Sequence, residues 1–132
     1  MKTKILLADD QPEVRSALKF LLEQESPCEV VGESSDAEEL IKAIQLACPD
    51  VVLLDWELPN LQTTACMKVL RDACPGMKVV ALSSQIESRD GALKSNVDAF
   101  VSKGDPPETV LDTLHALIGF PQGELEKGKG EG

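Results

Sequence analysis

Two hydrophobic rhythms alternate along the chain. Short, nearly unbroken apolar runs occur at Lys4-Ile5-Leu6-Leu7-Ala8, Cys28-Glu29-Val30-Val31-Gly32, Val51-Val52-Leu53-Leu54, Met77-Lys78-Val79-Val80-Ala81-Leu82 and Val97-Asp98-Ala99-Phe100-Val101. Such runs predict short strands, the central ones buried on both faces. Between them apolar residues recur at helical spacing: Val14, Ala17, Leu18, Leu21 and Leu22; then Leu40, Ile41, Ile44 and Ala47; then Cys66, Val69, Leu70 and Ala73; and last Val110, Leu111, Leu114, Leu117 and Ile118. Pro12 suits a first helical turn, and Ser35-Asp36-Ala37-Glu38 has the capping-box pattern. Pro49 ends the second helix. Cys74-Pro75-Gly76 closes a third, over Thr64 to Ala73, and echoes Cys48-Pro49-Asp50 one unit earlier. Ile86 to Ser95 predicts a fourth helix of high polarity and weak periodicity. Asp105-Pro106-Pro107-Glu108 offers an N-cap, prolines at the first turn and an acid after them.

Five β-then-α units in strict alternation predict a parallel sheet with helices on both faces. We expect one domain over residues 1–118. Residues 119–132, glycine and charge throughout, should form a flexible tail or the start of a linker.

In such sheets function gathers outside the carboxyl ends of the strands. Here that edge should carry Asp9 and Asp10 after the first strand, Asp55 after the third, Ser83 after the fourth and Lys103 after the fifth. Taken singly, Asp55 is an ordinary turn or capping residue. Four strand ends bearing ionisable or hydroxyl groups are a different matter. Converging carboxylates repel, by roughly 1 kcal/mol per close pair in water and about 4 kcal/mol at an effective dielectric of 20. Lys103 offsets one charge, and a divalent cation would offset the rest. An all-oxygen donor set without histidine or thiolate selects Mg2+, with Mn2+ or Ca2+ as substitutes. A carboxylate beside a metal ion, an amine and a hydroxyl can accept a phosphoryl group. In that reading Asp55 attacks, Lys103 and the metal neutralise the phosphoryl oxygens, and Ser83 donates a hydrogen bond.

Composition narrows the alternatives. The net charge of −10 opposes binding of a nucleic-acid backbone by this segment. No apolar run reaches the length of a membrane span, and no secretory signal is evident, so a cytoplasmic protein is expected. Four cysteines (Cys28, Cys48, Cys66, Cys74) form no C-x-x-C pair, which disfavours zinc, and apolar neighbours predict reduced core residues. His115, the single histidine, falls in a helical pattern without a nucleophile or metal partner beside it.

With these residues in place, Lys2 to Ile118 resembles the receiver domain of two-component response regulators. The acidic pair Asp9-Asp10, Asp55 with Pro59 after it, Ser83, Phe100 and Lys103 carry the resemblance. It implies a doubly wound, five-stranded sheet in the order 2-1-3-4-5, as in CheY. It also implies that Asp55 is phosphorylated by a phosphohistidine on a sensor histidine kinase or phosphotransfer protein. Asp10, Asp55 and the backbone carbonyl of Glu57 would ligate Mg2+, with Asp9 reaching it through water. Ser83 and Lys103 would hold the phosphoryl oxygens, and Phe100 would be the switch aromatic that turns inward as Ser83 moves. Gly104 after Lys103 resembles the NarL/FixJ (LuxR-type) subfamily, where phosphorylation controls homodimerisation or releases a DNA-binding output domain. Leu58 and Thr63 depart from the methionine and glycine often found after the acceptor. Glu57 and Gln85 fall where the family tunes its dephosphorylation rate.

Three other readings compete. A flavin-binding module of the same architecture would need a Ser/Thr/Gly-rich phosphate loop after the first strand, where this chain has Asp9-Asp10-Gln11-Pro12-Glu13. A Mg2+-dependent phosphatase or hydrolase with an aspartate nucleophile fits Asp55-Trp56-Glu57 only loosely. A receiver that binds partners without phosphorylation would not need the acidic pair, the acceptor, the hydroxyl and the lysine together. A stand-alone receiver acting through protein contact and a fragment of a longer transcription regulator both remain compatible with the chain.

Overall fold

The computed structural model describes residues 2–24 and 28–119. The tail expected beyond Gly119 lies outside the described residues. The elements follow in order: β1 (Thr3–Ala8), α1 (Pro12–Glu23), β2 (Cys28–Ser34), α2 (Ala37–Leu46), β3 (Val51–Asp55), α3 (Thr63–Ala73), β4 (Lys78–Ser83), α4 (Arg89–Lys94), β5 (Ala99–Ser102) and α5 (Glu108–Ile118). The strands pair in parallel in the order β2-β1-β3-β4-β5, so the chain reverses direction across the sheet between β1 and β3. In sheets of this kind such a reversal parts the flanking loops at the carboxyl edge.

The unbroken apolar runs have the cause anticipated for them. On one face Leu6, Ala8, Val52, Leu54, Val79 and Ala81 pack with Leu40, Ile44, Leu70 and Ala92 of α2, α3 and α4. On the other Ile5, Leu7, Val51, Leu53, Val80 and Leu82 pack with Leu22, Val110 and Leu114 of α1 and α5. Successive strand residues serve opposite cores, so the middles of β1, β3 and β4 carry no polar side chain and their polar residues fall toward the strand ends.

Several boundaries differ from expectation for local reasons. β2 runs past Gly32 to Ser34, because the register steps from Ile5 opposite Val30 to Leu6 opposite Gly32 and leaves Val31 as a bulge. A Cβ at Gly32 would lie 2.8 Å from Leu6 Cδ1, so glycine permits the close approach. The capping box sits one residue later than predicted. Asp36 accepts from the Glu39 amide, and Glu39 reaches back to the amide and hydroxyl of Ser35. The fourth helical segment is split into a 3₁₀ turn at Ile86–Ser88 and the six-residue α4, of which only Ala92 is buried. β5 starts at Ala99, after Asn96 turns with φ 70° and the Asp98 carboxylate takes the Val79 amide and the Arg71 guanidinium. Asp105 does not cap α5. The helix begins at Glu108 behind a turn in which the carbonyls of Pro106 and Pro107 accept from Thr109 and Val110.

The cysteines depart most from expectation. Cys28 and Cys66 are buried as small core residues. Cys48 and Cys74, expected to be reduced, form a disulfide. Each stands at the end of a helix and one residue before a proline, in the turns that feed the adjacent strands β3 and β4. α2 and α3 lie on the same face, so the two turns bring these Cα atoms to 5.7 Å.

Candidate functional site

Every polar group expected at the carboxyl edge is there, and each is placed by the strand before it. Asp9 is the first residue after β1, Asp55 the last of β3, Ser83 the last of β4 and Lys103 the first after β5. Asp9, Asp55 and Ser83 are at most 2% exposed, while Asp10 faces solvent. Carboxylate oxygens of Asp9, Asp10 and Asp55 lie within 4.8 Å of one another. The Lys103 ammonium reaches into this cluster, 2.8 Å from Asp9 Oδ2 and 3.3 Å from Asp55 Oδ1.

The two buried carboxylates are occupied differently. Asp9 Oδ1 accepts from the Gln11 amide at 2.8 Å, so both of its oxygens are engaged. Asp55 Oδ1 accepts from the Glu57 amide at 2.9 Å and faces Lys103, whereas Oδ2 accepts no hydrogen bond from any described residue. A buried carboxylate oxygen without a protein donor gains from a cation or a donor placed beside it. Burial pushes the Asp55 carboxyl above the usual aspartate range. The Asp9 charge adds to this, against the Glu57 amide and Lys103, which act the other way. Burial also works against the Lys103 charge, but its hydrogen bond to Asp9 and the charges of Asp55 and Asp9 hold its pKa above that of an ordinary lysine.

Sequence reasoning placed Ser83 at the site but did not foresee its partner. Its hydroxyl donates to Glu57 Oε2, and its oxygen accepts from the Gln85 amide at 2.9 Å. Glu57 Oε1 also accepts from the Ser84 hydroxyl at 3.0 Å. Burial acts to raise the Glu57 pKa, but the bonds from Ser83 and Ser84 outweigh it and hold the carboxyl below the usual range. The only advance signal was the position of Glu57 two residues beyond Asp55. Phe100 lies half-buried against the core shared by α2, α3 and α4, on the strand beside Ser83, with Ala81 opposite it in the β4–β5 ladder.

A family model described as the response regulator receiver domain matches residues 5–115. The chain belongs to that family. Among curated proteins this receiver is 33% identical over 113 residues to the nitrate/nitrite response regulator NarL of Escherichia coli K12. The match covers 84% of the chain and 52% of NarL. It thus spans about half the length of the relatives it matches. A LuxR-family two-component response regulator from Aurantimonas sp. SI85-9A1 superposes with a TM-score of 0.81 at 23% identity, covering 90% of this chain and 86% of that one. A CheY-like receiver domain protein from Methanospirillum hungatei JF-1 gives 0.79 at 24%, covering 90% and 95%.

The receiver's electrostatics carry a pH signature. A carboxyl whose pKa is raised by folding binds its proton more tightly in the native state. Its favourable contribution is complete below the ordinary aspartate pKa and is lost as pH rises through the folded value. At neutral pH the ionised Asp55 therefore opposes folding. Asp55→Asn is expected to stabilise the receiver at pH 7 by on the order of 1 kcal/mol, with the advantage shrinking toward pH 4. Thermal unfolding of both proteins across that range would test this; an advantage independent of pH would refute it. Among the described residues no helix is long and apolar enough to cross a membrane.

Proposed function

We propose that the receiver accepts a phosphoryl group on Asp55 from a phosphohistidine of a sensor kinase or phosphotransfer protein. The observation that carries this reading is the buried Asp55, with one oxygen lacking a protein donor, beside Lys103 and within the acidic cluster. An Asp55 oxygen attacks phosphorus as the phosphorus–nitrogen bond breaks, the imidazole leaves, and an acyl phosphate remains. Lys103, already 3.3 Å from Asp55, needs little movement to pair with a phosphoryl oxygen. Ser83 Oγ is the hydroxyl that would serve a second oxygen once released from Glu57.

The donor set fits Mg2+: carboxylates only, one of them with an orphaned buried oxygen, and no histidine or thiolate. Asp10, Asp55 and the Glu57 carbonyl would hold it. Asp9, whose oxygens are taken by Lys103 and the Gln11 amide, is suited to a water-mediated role. When bound, the ion would neutralise charge on the transferring group.

Phosphorylation would add a charge of about −1.5 to −2 beside Lys103 and Ser83. Drawing Ser83 toward it would free space on the side where Phe100 packs and would alter the α4–β5–α5 surface. We infer that this change acts in the cytoplasm on dimerisation or on a transcriptional output, as the LuxR-family relatives suggest, and that any DNA binding lies outside this acidic segment.

The test is intact mass after incubation with acetyl phosphate and Mg2+. A gain of roughly 80 Da, one phosphoryl group, is expected for the wild type and not for Asp55→Ala or without the metal. A folded wild type that gains nothing would overturn the reading.

A further inference from the structure

We propose that Glu57 is an internal competitor for Ser83, a carboxylate that holds the switch hydroxyl until a phosphoryl group replaces it. This deepens the phosphoacceptor reading and rests on it. A serine hydroxyl has one proton to donate. Ser83 is fully buried, and its proton goes to Glu57 Oε2, with the Gln85 carbonyl at 3.2 Å as a second acceptor. It cannot go at the same time to an oxygen on phosphorylated Asp55. Glu57 is thus an anionic oxygen acceptor supplied by the chain, two residues from the acceptor Asp55. The Ser84 hydroxyl at 3.0 Å and the Ser84 amide at 3.4 Å anchor the same carboxylate, so one side chain ties the end of β4 to the loop after β3.

For Ser83 to serve a phosphoryl group, its bond to Glu57 must break. Hydrogen bonds to charged groups are among the stronger ones in proteins, so this exchange sets part of the equilibrium between the resting and phosphorylated forms. Glu57 is a positioning residue here, acting through Ser83 rather than on the reacting atoms. Removing it also deletes a negative charge near the incoming anion. That electrostatic gain would be present whatever Ser83 does, which supplies the means of separating the two effects.

The experiment is a double-mutant cycle on beryllofluoride binding at fixed Mg2+, read by fluorescence of Trp56, the sole tryptophan and next to Asp55. Wild type, Glu57→Ala, Ser83→Ala and the double variant would be compared, with melting curves confirming that each is folded. Glu57→Ala is expected to tighten binding about tenfold when Ser83 is present and by about threefold or less when it is absent. Glu57→Gln, which keeps an acceptor oxygen without the charge, should fall between wild type and Glu57→Ala. Equal effects of Glu57→Ala in both Ser83 backgrounds would overturn the competitor role and leave the phosphoacceptor reading intact. Failure of the folded wild type to bind beryllofluoride or gain a phosphoryl group would overturn both.

Discussion

Replacing Lys103 with alanine is expected to lower the unfolding free energy by about 3 to 5 kcal/mol at pH 7, the cost of removing one partner from a buried ion pair. The ammonium is the cation the structure places against both Asp9 and Asp55, at 2.8 and 3.3 Å, and those carboxylates are almost wholly buried. Without it they face each other unpaired where water cannot screen them. Two consequences distinguish this from ordinary loss of packing. Because burial and the Asp9 charge already push the Asp55 carboxyl upward, Lys103→Ala should regain stability as pH falls and Asp55 takes up a proton. Millimolar Mg2+ should also raise its melting temperature more than that of the wild type, since a divalent cation would supply the missing charge. Denaturant unfolding at several pH values, with and without the metal, would measure both. A loss that neither acid nor metal relieves would show that the aliphatic stem of Lys103 matters more than its charge.

The second large effect is expected at the opposite end of the sheet. The Cys48–Cys74 disulfide closes a loop with a sequence separation of 26, and the chain-entropy argument assigns such a loop about 3.5 kcal/mol. Reduction should therefore lower the denaturant midpoint markedly. Cys48→Ser should reproduce the reduced wild type and be indifferent to reductant, because Cys48 is exposed and its replacement leaves the core undisturbed. The bond joins turns at the amino ends of β3 and β4, the length of a strand away from Asp55. Phosphoryl acceptance at saturating donor should accordingly persist in Cys48→Ser. A wild-type midpoint unmoved by reductant would show that the reduced turns hold together equally well.

The fold was legible because the middles of strands that serve two cores at once exclude polar residues. The charges at Asp9, Asp55 and Lys103 therefore announced where β1, β3 and β5 stop, and a parallel order put those stops on one edge. What stayed hidden depended on contacts between elements. The Glu57–Ser83 bond joins residues 26 apart through geometry that no local pattern encodes. The disulfide did leave a trace in the repeated Cys-Pro of the two helix-to-strand turns. That echo is compatible with a shared turn and discloses a covalent bond only once α2 and α3 are known to be neighbours. The split before α4 arose where polar side chains offer the backbone competing hydrogen bonds, as Ser83 Oγ does to the Gln85 amide, and the late start of α5 where Pro106 and Pro107 supply no backbone donor.

The span of the Asp9–Lys103 pair has a consequence for the making of the molecule. These two residues are 94 positions apart, and the groups between them come from β3 and β4. During synthesis the carboxylates emerge first, and the lysine that tames them comes after most of the sheet-forming chain has been made. A nascent or truncated chain lacking β5 would hold the acidic cluster without the cation that the structure places against it. Charge balance within the cluster therefore waits on the last strand of the sheet to be made.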